Sequence, residues 1–537
     1  MKRYPFCRRT DEMETRATRP TMSVSPCTWI LLVFLGLVGA VYVLVATSQY
    51  GIGYAGDSGG YFGPARAILG EEPFFQSRHS VMWPPVYAAF LALSGLLLRM
   101  EPLGAARFLN AGIFFAIILV TGAWVLRRLK SPPVALTCSL CLLFSYPLLV
   151  MAKMGLSDTL FVLLLVLFLI ACERYFEKGR IRDLVLAGLV AALSTLTRYA
   201  GVTLVLSGGL FLVFDGRIHF GRRVRAVVLF GAVALTPLLL WLIRNWVVSG
   251  TLFGNRYPSP KPFVWNLLST VVLAGHWFVP FDVPRYPKAV LGGLCLLGAA
   301  VVVWRCIRRR CLGDESSTLV RLLLFMGVYL AYLVVSTTLV AVEQISLRYL
   351  LPAYVPALLV VLPVLWNVAR SGGRTRRNVI FGAAGLWLAL SLASGAELMN
   401  LSLGKGTGTY SARRWTESSL IAYLKTHPVG GELYSNYPEP IDLLTRARAK
   451  RSPRWHAGNA PQVPVNELED LKRALGGEGS AYLAWFEGMD NISLVPLDRL
   501  AAELRLEEIA FAADGALYRV SAGALGGAEP EGIANRK

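Results

Sequence analysis

Asp57 lies in the polar, glycine-rich stretch Tyr54-Ala55-Gly56-Asp57-Ser58-Gly59-Gly60-Tyr61, just after a long apolar run from Trp29 to Ala46. Glycines let the backbone approach a substrate closely, and a carboxylate at the water-accessible mouth of a membrane protein could act as general base on a hydroxyl or amine. A plain loop or capping carboxylate fits the spacing equally well. A second acid, Asp158, ends the turn Gly155-Leu156-Ser157-Asp158, where Ser157-Asp158 would also cap the apolar run that starts at Thr159. Arg198, Arg244, Arg256 and Arg348 stand at the ends of apolar runs. The planar fork of arginine suits an anionic headgroup such as a lipid phosphate, and interfacial anchoring is the competing reading. His79 and His276, two of only five histidines, fall in the two large polar loops and could hold a phosphate, share a metal or simply be loop residues. Tyr61 and Tyr349, beside the acid and the last arginine, complete the substrate-binding candidates.

These residues must be positioned by a membrane protein. The chain is 55% hydrophobic and 16% charged over 537 residues, with a mean hydropathy of +0.51, far from the roughly 25% charged residues of soluble domains. Its net charge of +20 comes from arginines and lysines in short loops between apolar runs. That is a topological pattern and excludes nucleic acid as the expected partner. Cys138-x-x-Cys141 has zinc-like spacing but lies in an apolar run without a second ligand pair, which reads as structural.

A helix needs about 20 apolar residues to cross the hydrocarbon core. Twelve segments approach this: Trp29 to Ala46, Pro84 to Leu98, Leu103 to Leu126, Val134 to Met151, Thr159 to Cys172, Leu184 to Leu196, Val202 to Phe214, Ala226 to Trp246, Ala289 to Trp304, Leu319 to Val340, Leu350 to Trp366 and Val379 to Ser394. If all crossed, every basic loop (127–130, 174–182, 217–225, 305–310 and 370–377) would lie outside. With Pro84 to Leu98 lying along the outer face instead, all of them lie inside. The expectation is therefore an α-helical polytopic membrane protein of about eleven spans plus an outer-face helix. Its N-terminus is cytoplasmic, and Asp57, Asp158, Arg198 and the long loop Ser249 to Pro287 are extracytoplasmic. The domains are a disordered tail (1–26), a transmembrane domain (27–399), a small extracytoplasmic α/β domain (400–522) and a flexible end (523–537). In the α/β domain, Trp415 to Thr426, Pro464 to Ala474 and Leu497 to Leu504 read as helices. Glu432 to Ser435, Ser480 to Phe486 and Ala516 to Val520 read as strands.

Ordered motifs add a resemblance. Gly56-Asp57-Ser58 with Tyr61, Trp83-Pro84-Pro85-Val86-Tyr87, Gly155-Leu156-Ser157-Asp158, Leu196-Thr197-Arg198, Arg244-Asn245 with Gly250-x-x-Phe253-Gly254, and Arg348-Tyr349-Leu350-Leu351-Pro352 follow one another between Trp29 and Ser394. This succession resembles the GT-C membrane glycosyltransferases, which include the protein O-mannosyltransferases and the lipid A aminoarabinose transferases. The resemblance implies transfer of a sugar from a polyprenyl-phosphate donor to a lipid, glycan or protein acceptor on the outer face. It gives Asp57 the role of catalytic base and Asp158 that of a second acid. Asp57-Ser58 departs from the Asp-Glu pair of the O-mannosyltransferases, so a mannose donor and a protein hydroxyl acceptor do not carry over. The paired acidic motifs of the oligosaccharyltransferases are absent, so no metal requirement follows, and a divalent metal is the only cofactor left open. One base and in-line displacement imply inversion at the anomeric carbon. The alternative is a transporter or lipid flippase in which Asp57 and Asp158 bind an ion or substrate. Such proteins place ionisable residues inside spans, whereas the apolar runs here are nearly free of charge.

Overall fold

The computed structural model describes residues 25–70, 81–216, 219–277, 285–308, 314–341, 344–371, 373–458, 460–476, 480–488 and 493–523. His79 and most of the two terminal tails lie outside these residues.

Each of the twelve apolar segments is helical. In chain order the helices are α1 (Pro26–Ala46), α2 (Gly59–Ile68), α3 (Val86–Leu98), α4 (Pro102–Leu129), α5 (Pro132–Leu143), α6 (Tyr146–Ala152), α7 (Asp158–Lys178), α8 (Ile181–Thr195), α9 (Val202–Val213), α10 (Phe220–Ser249), α11 (Phe263–Gly275), α12 (Arg285–Arg308), α13 (Asp314–Leu339), α14 (Leu347–Ser371) and α15 (Arg374–Lys405). Proline punctuates this series: it opens α1, α4 and α5 at positions where its missing N–H costs no hydrogen bond. Tyr146-Pro147 restarts the chain as α6 after a bend of 56° from α5.

Among the described residues seven helices are long and apolar enough to cross a bilayer, or eight if the bent pair α5 and α6 counts as one span. The expected count of about eleven is thus not reached by length and composition. Several apolar runs fold into helices of 12 to 15 residues, such as α8 and α9, which rise only about 20 Å. The loop reading of Ser249 to Pro287 also needs correction. It contains α11, whose 13 residues interleave apolar positions with Asn266 and Thr270. Those polar groups find internal partners, Asn266 Nδ2 donating to Thr338 Oγ1 at 3.0 Å and Thr270 Oγ1 to the Asn266 carbonyl at 2.8 Å.

Beyond α15 the chain makes a short antiparallel ribbon, β1 (Gly406–Thr407) with β2 (Ser411–Ala412). There follow α16 (Arg413–Thr416), α17 (Ser419–Thr426), β3 (Leu433–Ser435), α18 (Pro438–Thr445), β4 (Ala449–Arg451), β5 (His456–Ala457), β6 (Ala460–Pro464), α19 (Glu467–Ala474), β7 (Ser480–Phe486), α20 (Leu497–Glu503), β8 (Arg505–Ala512) and β9 (Gly515–Ser521). A five-stranded sheet runs β4-β3-β7-β9-β8, parallel across β4, β3 and β7 and antiparallel across β7, β9 and β8. The single helix expected over Trp415 to Thr426 is two. Ser418 breaks it, because its hydroxyl accepts from the Ile421 amide at 3.1 Å and starts α17 afresh. Pro464 belongs to β6, so the helix expected from Pro464 starts at Glu467.

One hydrophobic core joins the bundle to this domain. An aromatic chain carries it across: Tyr54 stacks on Phe62 at 5.6 Å, Tyr410 meets both Tyr54 and Trp415, and Trp415 meets Phe486 edge-on at 5.0 Å.

Candidate active site

The glycine-rich stretch after α1 is clamped between two neighbours. Gly53 donates to the Lys153 carbonyl at 2.8 Å and accepts from the Gly155 amide at 2.7 Å, forming a parallel bridge to the turn before α7. A Cβ at Gly53 would stand 2.3 Å from Met154 Sδ and 3.0 Å from the Lys153 carbonyl oxygen, so a side chain there would force Met154 to move. On the other side the Tyr54 amide donates to Ser411 Oγ at 2.9 Å, and the Tyr410 amide donates to the Tyr54 carbonyl at 2.9 Å. Asp57 then sits in a single 3-10 turn, Gly56–Ser58. The Ser58 hydroxyl holds that turn by accepting from the Ala55 amide at 3.0 Å.

Asp158 is the first residue of α7, where the helix dipole favours an anion. The capping role expected of Ser157 is not what the structure shows: its side chain makes no cap hydrogen bond. Ser157 Oγ instead shares a hydrogen bond of 2.8 Å with the Tyr61 hydroxyl. Burial, partly offset by Arg198, pushes the Tyr61 phenol up to about 12, so it remains protonated. From α4, buried Asn110 donates to the carbonyls of Ala152 (3.1 Å) and Met154 (2.6 Å) and accepts from Tyr87 at 3.1 Å. Sequence reasoning passed over Asn110 and met Tyr87 only as the end of the Trp83-Pro84-Pro85-Val86-Tyr87 motif. The signal for Asn110 was a lone amide inside an apolar run, where a polar side chain requires a partner.

Four charges meet at this end of the bundle. Arg348, in the first turn of α14, forms an ion pair through Nη2 with Asp57 Oδ2. Its Nε lies 3.7 Å from Asp158 Oδ2, close enough for attraction but too long for a hydrogen bond. Arg198 Nη1 meets Asp158 Oδ1 at 2.8 Å. Burial weighs against the Arg198 charge, yet Asp158, Tyr61 and Tyr349 hold its guanidinium above the ordinary arginine value. The two carboxylates differ sharply in access: 27% of the Asp57 side chain is exposed and only 4% of Asp158. Asp57 is therefore the more accessible acid of the two, while Asp158 is enclosed beside the two arginines. The Arg348 guanidinium also stands 5.1 Å from the Tyr349 ring centroid, and the Tyr349 carbonyl accepts from the Tyr329 hydroxyl at 2.7 Å.

The other sequence candidates stand apart from this network. Arg244 stacks on Trp241 at 4.8 Å and donates to Asn245 at 3.1 Å, while exposed Arg256 donates to the Phe253 carbonyl at 3.1 Å. His276 ends α11, its amide donating to the Leu273 carbonyl at 3.1 Å. Among the described residues no group of three or more His, Cys, Asp or Glu side chains could hold a metal ion. The paired carboxylates are bridged by Arg348 instead.

A cleft of about 970 Å³ opens between the glycine-rich stretch and the sheet domain, lined by Gly56 and Gly59 on either side of the Asp57-Ser58 pair and by none of the four clustered charges. Gly56, Gly59, Tyr54 and Trp83 form one wall, and Glu432, Glu439, Asp442 and Arg448 form the other. Burial pushes the Asp442 carboxyl above its ordinary value, with Arg66 and Arg448 pulling against it.

Comparison with known proteins bears on this geometry. Residues 83–241 match the family model of dolichyl-phosphate-mannose-protein mannosyltransferase. No curated protein sequence matches the chain. Among solved structures, ArnT from Cupriavidus metallidurans is similar in the apo state, with a TM-score of 0.61 at 14% identity over 91% of this chain and 97% of that one. Its complex with undecaprenyl phosphate gives a TM-score of 0.59 at 14% identity, over 92% and 98%. The archaeal oligosaccharyltransferase AglB from Archaeoglobus fulgidus, in complex with an inhibitory peptide and a dolichol-phosphate, gives 0.54 at 13% identity, over 86% and 69%. The chain thus has the fold of the GT-C membrane glycosyltransferases.

Proposed function

We propose that this protein is a membrane glycosyltransferase that moves a sugar from a polyprenyl-phosphate donor to an acceptor bound in the cleft beside Asp57. The observation that carries this reading is the partly exposed Asp57 carboxylate, held by Arg348 and backed by Asp158 and Arg198, in a turn whose Gly56 lines that cleft. The similar ArnT and AglB structures were solved with undecaprenyl phosphate and a dolichol-phosphate, which supports a lipid-phosphate donor.

In this reading the donor phosphate draws Arg348 away from Asp57, since a guanidinium binds phosphate through the same forked contact it makes to a carboxylate. Asp57 is then released to take the proton from the acceptor hydroxyl or amine. The acceptor atom attacks the anomeric carbon, the bond from that carbon to the phosphate oxygen breaks, and the polyprenyl phosphate leaves with its negative charge held by Arg348 and Arg198. One base and one displacement invert the anomeric centre. Asp158 fixes both arginines and stays out of the reaction. Tyr61 and Tyr349 shape the pocket, the extracytoplasmic leaflet is the side of transfer, and the domain after Lys405 supplies the acceptor wall.

The test is incubation of the purified protein with a panel of polyprenyl-phosphate sugars and a crude lipid and glycan acceptor fraction, comparing wild type with Asp57→Asn. Release of polyprenyl phosphate by wild type and its loss in the variant is the expected result. Equal release by both proteins sinks the catalytic role of Asp57.

A further inference from the structure

At the end of the bundle opposite the candidate site, a groove of about 670 Å³ opens between α1, α4, α7 and α8. The helix α7 sets the separation: its 21 residues run from Asp158 to Lys178. That is a rise of roughly 30 Å, the thickness of a bilayer's hydrocarbon core. The groove therefore lies at the opposite interface, the one the basic loops mark as cytoplasmic.

Its walls and mouth have different chemistry. Val33, Leu119, Leu167, Ile170 and Leu186 make an apolar channel, while Arg127, Arg174 and Lys178 stand exposed at its mouth. Arg127 lies 5.6 Å over the Trp29 ring, which fixes one cation at the rim. The buried Glu173 does not oppose an anion there, because Arg128 pairs with it and Trp124 donates to it. Three exposed cations against the one exposed carboxylate, Glu177, leave the mouth positive.

We infer that this groove binds one phospholipid with an anionic headgroup, its acyl chain in the apolar channel and its phosphate among Arg127, Arg174 and Lys178. Apolar walls alone would accept any lipid, and basic residues alone would need no channel. Their juxtaposition at interfacial depth selects an anionic amphiphile of the leaflet facing away from the transfer site. The proposal is independent of the transferase reading.

The experiment is native mass spectrometry of the full-length protein in detergent micelles supplemented with phosphatidylglycerol or phosphatidylcholine. Wild type should retain one phosphatidylglycerol in preference to phosphatidylcholine. Replacing Arg127, Arg174 and Lys178 together with Gln should weaken that retention on the order of a hundredfold, at roughly fivefold per cation. Val33→Trp, at a position 39% exposed on α1, keeps every cation but fills the channel and should also abolish retention. Arg127→Lys with Arg174→Lys should preserve it. Equal retention of both lipids by wild type overturns the site, and undiminished phosphatidylglycerol retention by Val33→Trp reduces it to general surface attraction.

Discussion

Two ion clusters occupy the two ends of α7, and they are built differently. At the Lys178 end, Glu173 is enclosed: Arg128 pairs with it, Trp124 donates to it and Thr318 donates at 3.4 Å. At the Asp158 end two acids and two arginines form an open chain, with a 3.7 Å gap between Arg348 and Asp158 and with Asp57 partly exposed. A saturated pair has no partner to exchange and serves to lock helices. An open chain can trade a carboxylate for a phosphate without stranding a charge, as a transfer site with a departing anion requires.

The largest expected effect sharpens this contrast. Asp57→Asn should cut turnover roughly 10²- to 10⁴-fold, the range for loss of a general base, with little change in thermal unfolding. A matching drop in unfolding temperature would make Asp57 a structural residue like Glu173. The converse substitution, Glu173→Gln, should cost about 3–5 kcal/mol of stability by leaving Arg128 without its countercharge. The surviving folded protein should keep its donor KM, and a selective loss of turnover in thermal-shift-matched samples would break the comparison. Arg348→Lys removes the planar fork and should lower kcat roughly 10²- to 10³-fold, with weaker product inhibition by polyprenyl phosphate. Unchanged product inhibition would take the phosphate away from Arg348.

Smaller effects probe how the open cluster is held. Gly53→Ala crowds Met154 Sδ and should cost about 1–3 kcal/mol, loosening the bridge between the Asp57 stretch and the turn before α7. Hydrogen exchange at the Gly155 amide reads this directly. Tyr61→Phe deletes one hydrogen bond to Ser157, worth about 0.5–1.5 kcal/mol. It should shift the unfolding temperature slightly, with turnover falling less than tenfold, a ratio that a steady-state assay resolves.

Much of the fold was legible because bilayer and backbone impose strong periodic demands. The apolar runs became helices, and Ser480 to Phe486 became β7 with Ala481, Leu483 and Ala484 buried. Span number was less legible. Runs such as Leu184 to Leu196 and Val202 to Phe214 yield helices of 15 and 12 residues, and hydropathy does not distinguish a short buried helix from a crossing one. In the sheet domain, β8 was missed because its glutamates Glu507 and Glu508 interrupt the alternation on which strand reading depends, at a register shift opposite β9. Helix α11 was missed because prolines and aromatics on either side gave its segment the look of a loop.

The sequence by itself determined which residue types stand at the helix ends: Asp57, Asp158, Arg198 and Arg348 were each found from local context, since polar groups beside apolar runs stand out. It also ranked Arg244, Arg256 and His276 alongside them, because one-dimensional context cannot tell which helix ends converge. Tertiary structure decided that. Arg348 lies 291 residues from Asp57, and only the packing of α14 against the turn of α7 and the clamped Gly53 bridge brings them together. The same packing divides the two acids by exposure, giving Asp57 access and Asp158 burial, a distinction set by surroundings that neither residue carries in its own sequence neighbourhood.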